Sequence, residues 1–329
     1  MRYTNNGAST ILHNRYTAIQ HSLAGIHQEE TVLKRFHLHL TQALLASVLA
    51  AAAGSAQTPA VADKQAEVFG QQIHYQEAGS GPVVILLHGL GGDVSNWAPT
   101  IPALAKQYHV YAIDQIGFGQ SAKPMIAYRV ATLVDFLHGF YKQVGITKAT
   151  LVGNSLGGWT AAAFTIAYPD KVEKLVLVDA AGYSPERSGL KLTRETLQLL
   201  NPATLADLKR TLGTIFYNKA LITDATVEQF FAQKLKRGDG YTISQFLETA
   251  LTGQDFLDSK VKQIKAPTLV IWGRQDELTP LTMGEAFAQD IAGAEKAYLD
   301  KCGHVPQIEC AAAFNTALLK FLNPQASGK

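Results

Sequence analysis

The chain has 329 residues, 47% of them hydrophobic and 17% charged, enough for one sizeable buried core with an insertion. Its formal charge of +2 comes from the N-terminal end, where Arg2, Arg15, Lys34 and Arg35 face only Glu29 and Glu30. Removing these four and two from 29 and 27 leaves 25 of each sign, with no basic tract to neutralise phosphates, which excludes a nucleic-acid partner.

Ala43 to Ala53 is a short apolar run, preceded by Lys34-Arg35 and followed by Gly54-Ser55-Ala56. That order describes a secretory signal peptide cleaved near Ala56, and export to the periplasm or beyond is expected. The run is too short for a stable membrane span. The basic region before it is unusually long, so residues 1 to about 31 read as an over-extended gene start, with initiation near Val32 or Leu33. His13, His21, His27, His37 and His39 lack metal-ligand spacing, and no metal or cofactor is expected. Residues 57–68 read as a linker.

Beyond the linker, short apolar runs alternate with helical stretches: Val83 to Leu87, Val110 to Ile113, and the runs at 149–152, 174–178 and 268–272. Runs apolar on both faces predict a parallel sheet covered by helices on each side, an α/β fold. Val130, Leu133, Val134, Leu137 and Tyr141 form the stripe of one covering helix. Between 183 and 262 the alternation stops and only helical stripes remain. Asn201-Pro202 is expected to start the first of them. Val227 to Leu235 predict a second, and Ile243 to Ala250 a third that closes at Gly253.

Gly153-Asn154-Ser155-Leu156-Gly157 spells G-x-S-x-G between the strand-like Ala149 to Val152 and the helix-prone Gly158 to Ala163. A strand, a tight turn and a helix are the setting of a nucleophile elbow. A serine hydroxyl needs a base, and His304 is the only histidine after Ser155. The acid that orients it should end a strand between the two. Asp276, three residues past Thr268 to Gly273, fits, and Asp179, after Leu175 to Val178, is the alternative. Asp300 is too near His304 along the chain to reach it.

With His88-Gly89-Leu90-Gly91-Gly92, Asp114 to Ser121, the elbow, Gly273 to Asp276 and Gly303-His304 in this order, the chain resembles the α/β-hydrolase family from about Phe69 to Leu322. The resemblance implies an α/β-hydrolase core at 69–182 and 263–329. It makes Ser155, Asp276 and His304 a catalytic triad and gives an oxyanion hole to the backbone N–H groups of Leu90 and Leu156. His88 is read as a support for its loop. The helical stretch at 183–262 resembles the cap of lidded members, implying an enclosed apolar pocket over Ser155.

A serine at the elbow separates the chain from epoxide hydrolases and haloalkane dehalogenases, which carry aspartate there. The expected activity is hydrolysis of small to medium hydrophobic carboxylic esters through an acyl-enzyme. The alternative is hydrolysis of a carbon–carbon bond in ring-cleavage products. Gly117-Phe118-Gly119 and Cys302-Gly303-His304 resemble that group, while Val305 and Leu90-Gly91-Gly92 depart from it. A non-catalytic hydrolase-fold binding protein is the remaining reading. In an exported protein Cys302 and Cys310 could pair, but Cys302 reads more simply as a buried free thiol.

Overall fold

In the computed structural model, residues 60–189, 193 and 198–323 are described. All of them fall in the unit Thr58–Lys329. The expected signal peptide and its cleavage point at Ala56 lie outside the described residues.

The apolar runs become the strands of one eight-stranded sheet: β1 (Ala62–Val68), β2 (Gln71–Ala78), β3 (Val83–Leu87), β4 (His109–Ile113), β5 (Ala149–Asn154), β6 (Val172–Val178), β7 (Thr268–Gly273) and β8 (Glu295–Leu299). The spatial order is β1-β2-β4-β3-β5-β6-β7-β8. β2 runs antiparallel to β1 and β4, and the remaining pairs are parallel. Alternate residues of the central strands feed two separate cores. Ile85, Leu87, Leu151, Leu177 and Trp272 point to one face, and Val84, Leu86, Val152, Val176 and Ile271 to the other. That two-sided burial is why these strands read as unbroken apolar runs.

The helices are α1 (Ile101–Leu104), α2 (Val130–Gln143), α3 (Leu156–Ala167), α4 (Pro185–Ser188), α5 (Leu205–Ile215), α6 (Asp224–Arg237), α7 (Gly240–Ala250), α8 (Leu281–Asp290), α9 (Pro306–Glu309) and α10 (Ala311–Leu322). α2, α3 and α8 pack on the first face, α1 and α10 on the second. Among the described residues, nothing but helix and loop separates β6 from β7, and α5 and α6 share a small core of Leu208, Leu212, Phe216 and Val227.

Two sequence expectations are corrected. Most of the supposed linker is strand β1, whose backbone pairs from Ala62 opposite Glu77 to Val68 opposite Gln71. Only Ala66 and Val68 of this edge strand are buried, so its polar composition hid it. The first long helix after 200 begins at Leu205, capped by the Thr204 side chain on the Asp207 N–H, rather than at Pro202. Asn201 instead donates to the Gly240 carbonyl and Ser244 Oγ, tying that loop to α7.

Candidate active site

Ser155 sits between the end of β5 and the first turn of α3 with φ 54° and ψ −117°, a conformation a non-glycine residue adopts only when its surroundings enforce it. Its N–H donates to the Val178 carbonyl at 2.9 Å, and its own carbonyl accepts from Trp159 and Ala181. The flanking glycines make the turn possible by close approach. A Cβ on Gly153 would run into the Gly157 carbonyl, and one on Gly157 into the Leu87 carbonyl. The Asn154 side-chain amide donates to the carbonyls of Val178 (3.1 Å) and His304 (3.0 Å), joining the elbow to the histidine loop.

His304 and Asp276 meet as expected from chain order. His304 Nδ1 lies 2.8 Å from Asp276 Oδ2, with both side chains buried. The same Asp276 oxygen accepts from Thr279 Oγ1 at 2.6 Å, and Oδ1 accepts from the N–H groups of Leu278 and Thr279. Burial pushes the Asp276 carboxyl up, but the imidazole and the hydrogen bonds from His304 and Thr279 outweigh it, and its pKa ends below the ordinary aspartate value. A carboxylate fixed on Nδ1 holds the tautomer that leaves the Nε2 lone pair free to accept a proton. Thr279 was not foreseen from sequence.

Asp179, the alternative acid, does not hold the imidazole. One of its oxygens accepts from the Gly273 N–H at 2.8 Å, and the carboxyl lies beside that of Asp276. Burial, reinforced by the neighbouring Asp276 charge, raises its pKa well above the ordinary value, which favours the neutral carboxyl. Asp179, Asp276 and His304 bring one potential ligand atom each within 4.8 Å. Within this group Nδ1 and the Asp276 oxygen are already bonded to each other. Asp300 points elsewhere, to Arg274.

The loop after β3 supplies the other side of the site. His88 is fully buried, with Nδ1 2.7 Å from the Gly89 carbonyl and Nε2 accepting from the Gln115 N–H. A carbonyl can only accept and an amide can only donate, so the ring is neutral and serves to shape the loop. Burial accordingly lowers its pKa. From α6, Arg237 donates to Asp93 Oδ2 and to the Gly91 carbonyl, clamping the same loop beside Leu90. Leu156 opens α3, where an N–H has no partner within the helix.

Leu90, Leu156, Ser155 and His304 all line one cavity of about 250 Å³. Its other walls are mostly apolar and come largely from the helical segment, including Leu208, Leu212, Phe230, Ile243 and Phe246. Three charged groups of that segment, Lys234, Arg237 and Asp239, also reach it. Sequence gave no sign of them, because charges near the end of a helix normally read as a solvated face.

Cys302 is bridged to Cys310 with a Cα–Cα distance of 6.1 Å, correcting the free-thiol reading. The short helix α9 turns the chain back between them, closing a small ring around His304.

The fold and this arrangement are those of a hydrolase. The chain belongs to the α/β hydrolase fold family, whose model matches residues 82–311. It is 34% identical over 266 residues to a 2-hydroxy-6-oxononadienedioate/2-hydroxy-6-oxononatrienedioate hydrolase of Paraburkholderia phymatum, covering 76% of this chain and 91% of that one. A 2-hydroxy-6-oxo-6-phenylhexa-2,4-dienoate hydrolase of Burkholderia cepacia is 33% identical over the same shares. The solved meta-cleavage product hydrolase from Pseudomonas fluorescens IP01 superposes with a TM-score of 0.72 at 30% identity, covering 79% of this chain and 97% of its own. These relatives are named as hydrolases of 2-hydroxy-6-oxo-dienoic acids and of a meta-cleavage product, not as esterases, which overturns the expectation of ester hydrolysis. Val305 and Leu90-Gly91-Gly92, which seemed to argue against that group, are local departures within a likeness that spans most of the chain.

Proposed function

We propose that the protein hydrolyses the C5–C6 bond of a 2-hydroxy-6-oxo-dienoate, the type of acid formed when an aromatic ring is opened. The observation that carries this reading is the likeness to such hydrolases over about three quarters of the chain, joined to a serine–histidine–aspartate set in one cavity.

In this reading Ser155 is the nucleophile, His304 its base and Asp276 the residue that orients the base. The dienol first becomes its keto form, with a proton delivered to C5. Ser155 Oγ then attacks C6 as His304 Nε2 takes its proton, and the N–H groups of Leu90 and Leu156 stabilise the oxyanion. Collapse breaks C5–C6, and the electron pair passes through the conjugated chain to the C2 ketone oxygen. The dienolate takes the proton held on His304 Nε2 and leaves as the 2-hydroxydienoate, returning His304 to its neutral form. Water, activated by His304, releases the acyl group from Ser155 as a carboxylic acid. Residues 183–262 act as a cap whose apolar side chains enclose the C6 substituent and exclude bulk water.

The test is the loss of dienoate absorbance on adding purified protein to 2-hydroxy-6-oxo-6-phenylhexa-2,4-dienoate, with benzoate as product. Ser155→Ala should lower kcat by about a millionfold at an unchanged melting temperature. A wild-type protein inert towards dienoates of several C6 substituents would remove the reading.

Export is part of the same proposal. The signal-like stretch before Ala56 supports it, and so does the Cys302–Cys310 bridge, because disulfides persist in oxidising compartments. Sequencing the N-terminus of protein recovered from its native host should find Gln57 or a close neighbour first. Cytosolic protein that retains residues 34–56 would count against it.

A further inference from the structure

Among the described residues, Asp239 is a carboxyl group with nothing to hold: it is 1% exposed, it lines the cavity, and neither of its oxygens has a hydrogen-bond partner there. It occupies the N-cap of α7, where an aspartate ordinarily accepts from the first free N–H groups, yet it makes no such bond. Lys234, one turn before the end of α6, lines the same cavity. Its ammonium donates to Asn201 Oδ1 at 2.7 Å and forms no ion pair among the described residues. Arg237, by contrast, is occupied by Asp93.

A buried unpaired carboxyl beside a half-buried lysine is costly in a folded protein unless a ligand repays it. Burial raises the Asp239 carboxyl and lowers the Lys234 ammonium, while each one's charge acts in the opposite sense on the other. Both belong to the helical segment and line a cavity whose core wall carries Ser155 and His304. The remaining surface is largely apolar, so a substrate's polar end has few other places to go. What fits is a small acid with an adjacent hydroxyl. The ammonium takes an anionic oxygen, and a hydroxyl, both donor and acceptor, satisfies Asp239 in either protonation state.

Resting on the carbon–carbon hydrolase reading, we propose that Lys234 and Asp239 form the subsite for the 2-hydroxy-carboxylate end of the dienoate. Lys234 binds the C1 carboxylate and Asp239 the C2 hydroxyl. This pair supplies the polar groups beyond the triad that the enol end of the substrate requires, and it selects acids over neutral analogues.

The experiment compares kcat/KM for 2-hydroxy-6-oxo-6-phenylhexa-2,4-dienoate with that for its methyl ester, in wild type, Lys234→Met, Lys234→Arg and Asp239→Asn. Wild type should prefer the free acid by roughly tenfold or more, the effect of one hydrogen bond to a charged group. Lys234→Met should lose that preference chiefly through KM, and Lys234→Arg should restore most of it. Asp239→Asn should raise KM for both compounds. Calorimetric binding of 5-phenylpenta-2,4-dienoate, which has no bond to cleave, gives a second measurement that needs no turnover. Weakening by roughly tenfold or more in Lys234→Met supports the subsite even if wild type cleaves neither substrate, an outcome that removes only the reaction assigned above. A folded Lys234→Met that keeps both the acid preference and the affinity for the unreactive acid overturns the subsite.

Discussion

The Asn154 side-chain amide bonds the main-chain carbonyl of His304 at 3.0 Å, so the residue before the nucleophile fixes the loop that carries the base. Its second bond, to the Val178 carbonyl, anchors the same amide to the end of β6. The Ser155 turn and the His304 loop are thus registered through one planar group instead of through the sheet alone. Asn154→Ala leaves two buried carbonyls without that donor. The expected result is a loss of about 1–3 kcal/mol in stability. A fall in kcat of up to about a hundredfold should accompany it, because small misplacements of reacting groups are expensive. Urea melts and steady-state kinetics check both. An unchanged kcat would mean that the loop is held adequately without the amide.

The two aspartates near His304 should respond differently to the same change. Asp276→Asn removes the charge on Nδ1 and permits the wrong tautomer, which in a triad costs about ten-thousandfold in kcat. Asp179→Asn replaces a carboxyl whose neutral form burial favours with a neutral amide of similar shape. Its kcat should stay within about tenfold of wild type. Comparable losses in the two variants would show that Asp179 carries charge in the working site.

The Cys302–Cys310 bridge closes a ring of eight positions' separation around His304. Chain-entropy reasoning assigns a ring of this size about 2–3 kcal/mol. The Cys302→Ala, Cys310→Ala double variant should melt lower than the oxidised protein, and the reduced wild type should follow it. Thermal scans with and without a phosphine reductant decide the matter. If reduction leaves the melting temperature where it was, the bridge adds nothing to stability.

His74 gives the fold a pH dependence away from the site. Its ring, 4% exposed, lies 2.7 Å from Asp114 Oδ2. The hydrogen bond to Asp114 raises its pKa above the ordinary 6.5 against the opposing effect of burial. A raised folded-state pKa means that the folded protein holds this proton more tightly than the unfolded chain does. The stabilisation is therefore complete below the unfolded value and disappears as pH rises through the folded one. As pH rises above about 6.5, wild type should lose more stability than His74→Gln does. Parallel stability–pH curves for the two proteins would exclude His74 as the source.

Ser155, His304 and Asp276 could be singled out because each stands at a punctuation mark. Ser155 lies between two glycines at a strand–helix junction, His304 has no competitor downstream, and Asp276 follows a strand apolar on both faces. The sheet interior was legible for the same reason, since its residues serve two cores. What could not be read depends on a turn or on backbone pairing. Thr279 reaches Asp276 only because the turn after β7 folds its hydroxyl back. β1 is held by main-chain bonds that polar side chains do not advertise. Lys234 and Asp239 resemble any solvated helix end until α6 and α7 are laid over the cavity. The reaction class was misjudged because single positions such as Val305 were given more weight than the chain as a whole.

Glu309 accepts hydrogen bonds from the N–H groups of Gly303, Tyr217 and Asn218, while the His304 N–H donates to the Ile215 carbonyl. One carboxylate therefore serves donors from two parts of the chain, the loop that presents the base and the segment following α5. The inserted helices cannot be exchanged like a detachable module. A segment transplanted from another hydrolase would have to bring two amide donors to the same carboxylate and a carbonyl to the His304 N–H. Without them it would leave the base on a slack loop, however well its own pocket suited a new substrate.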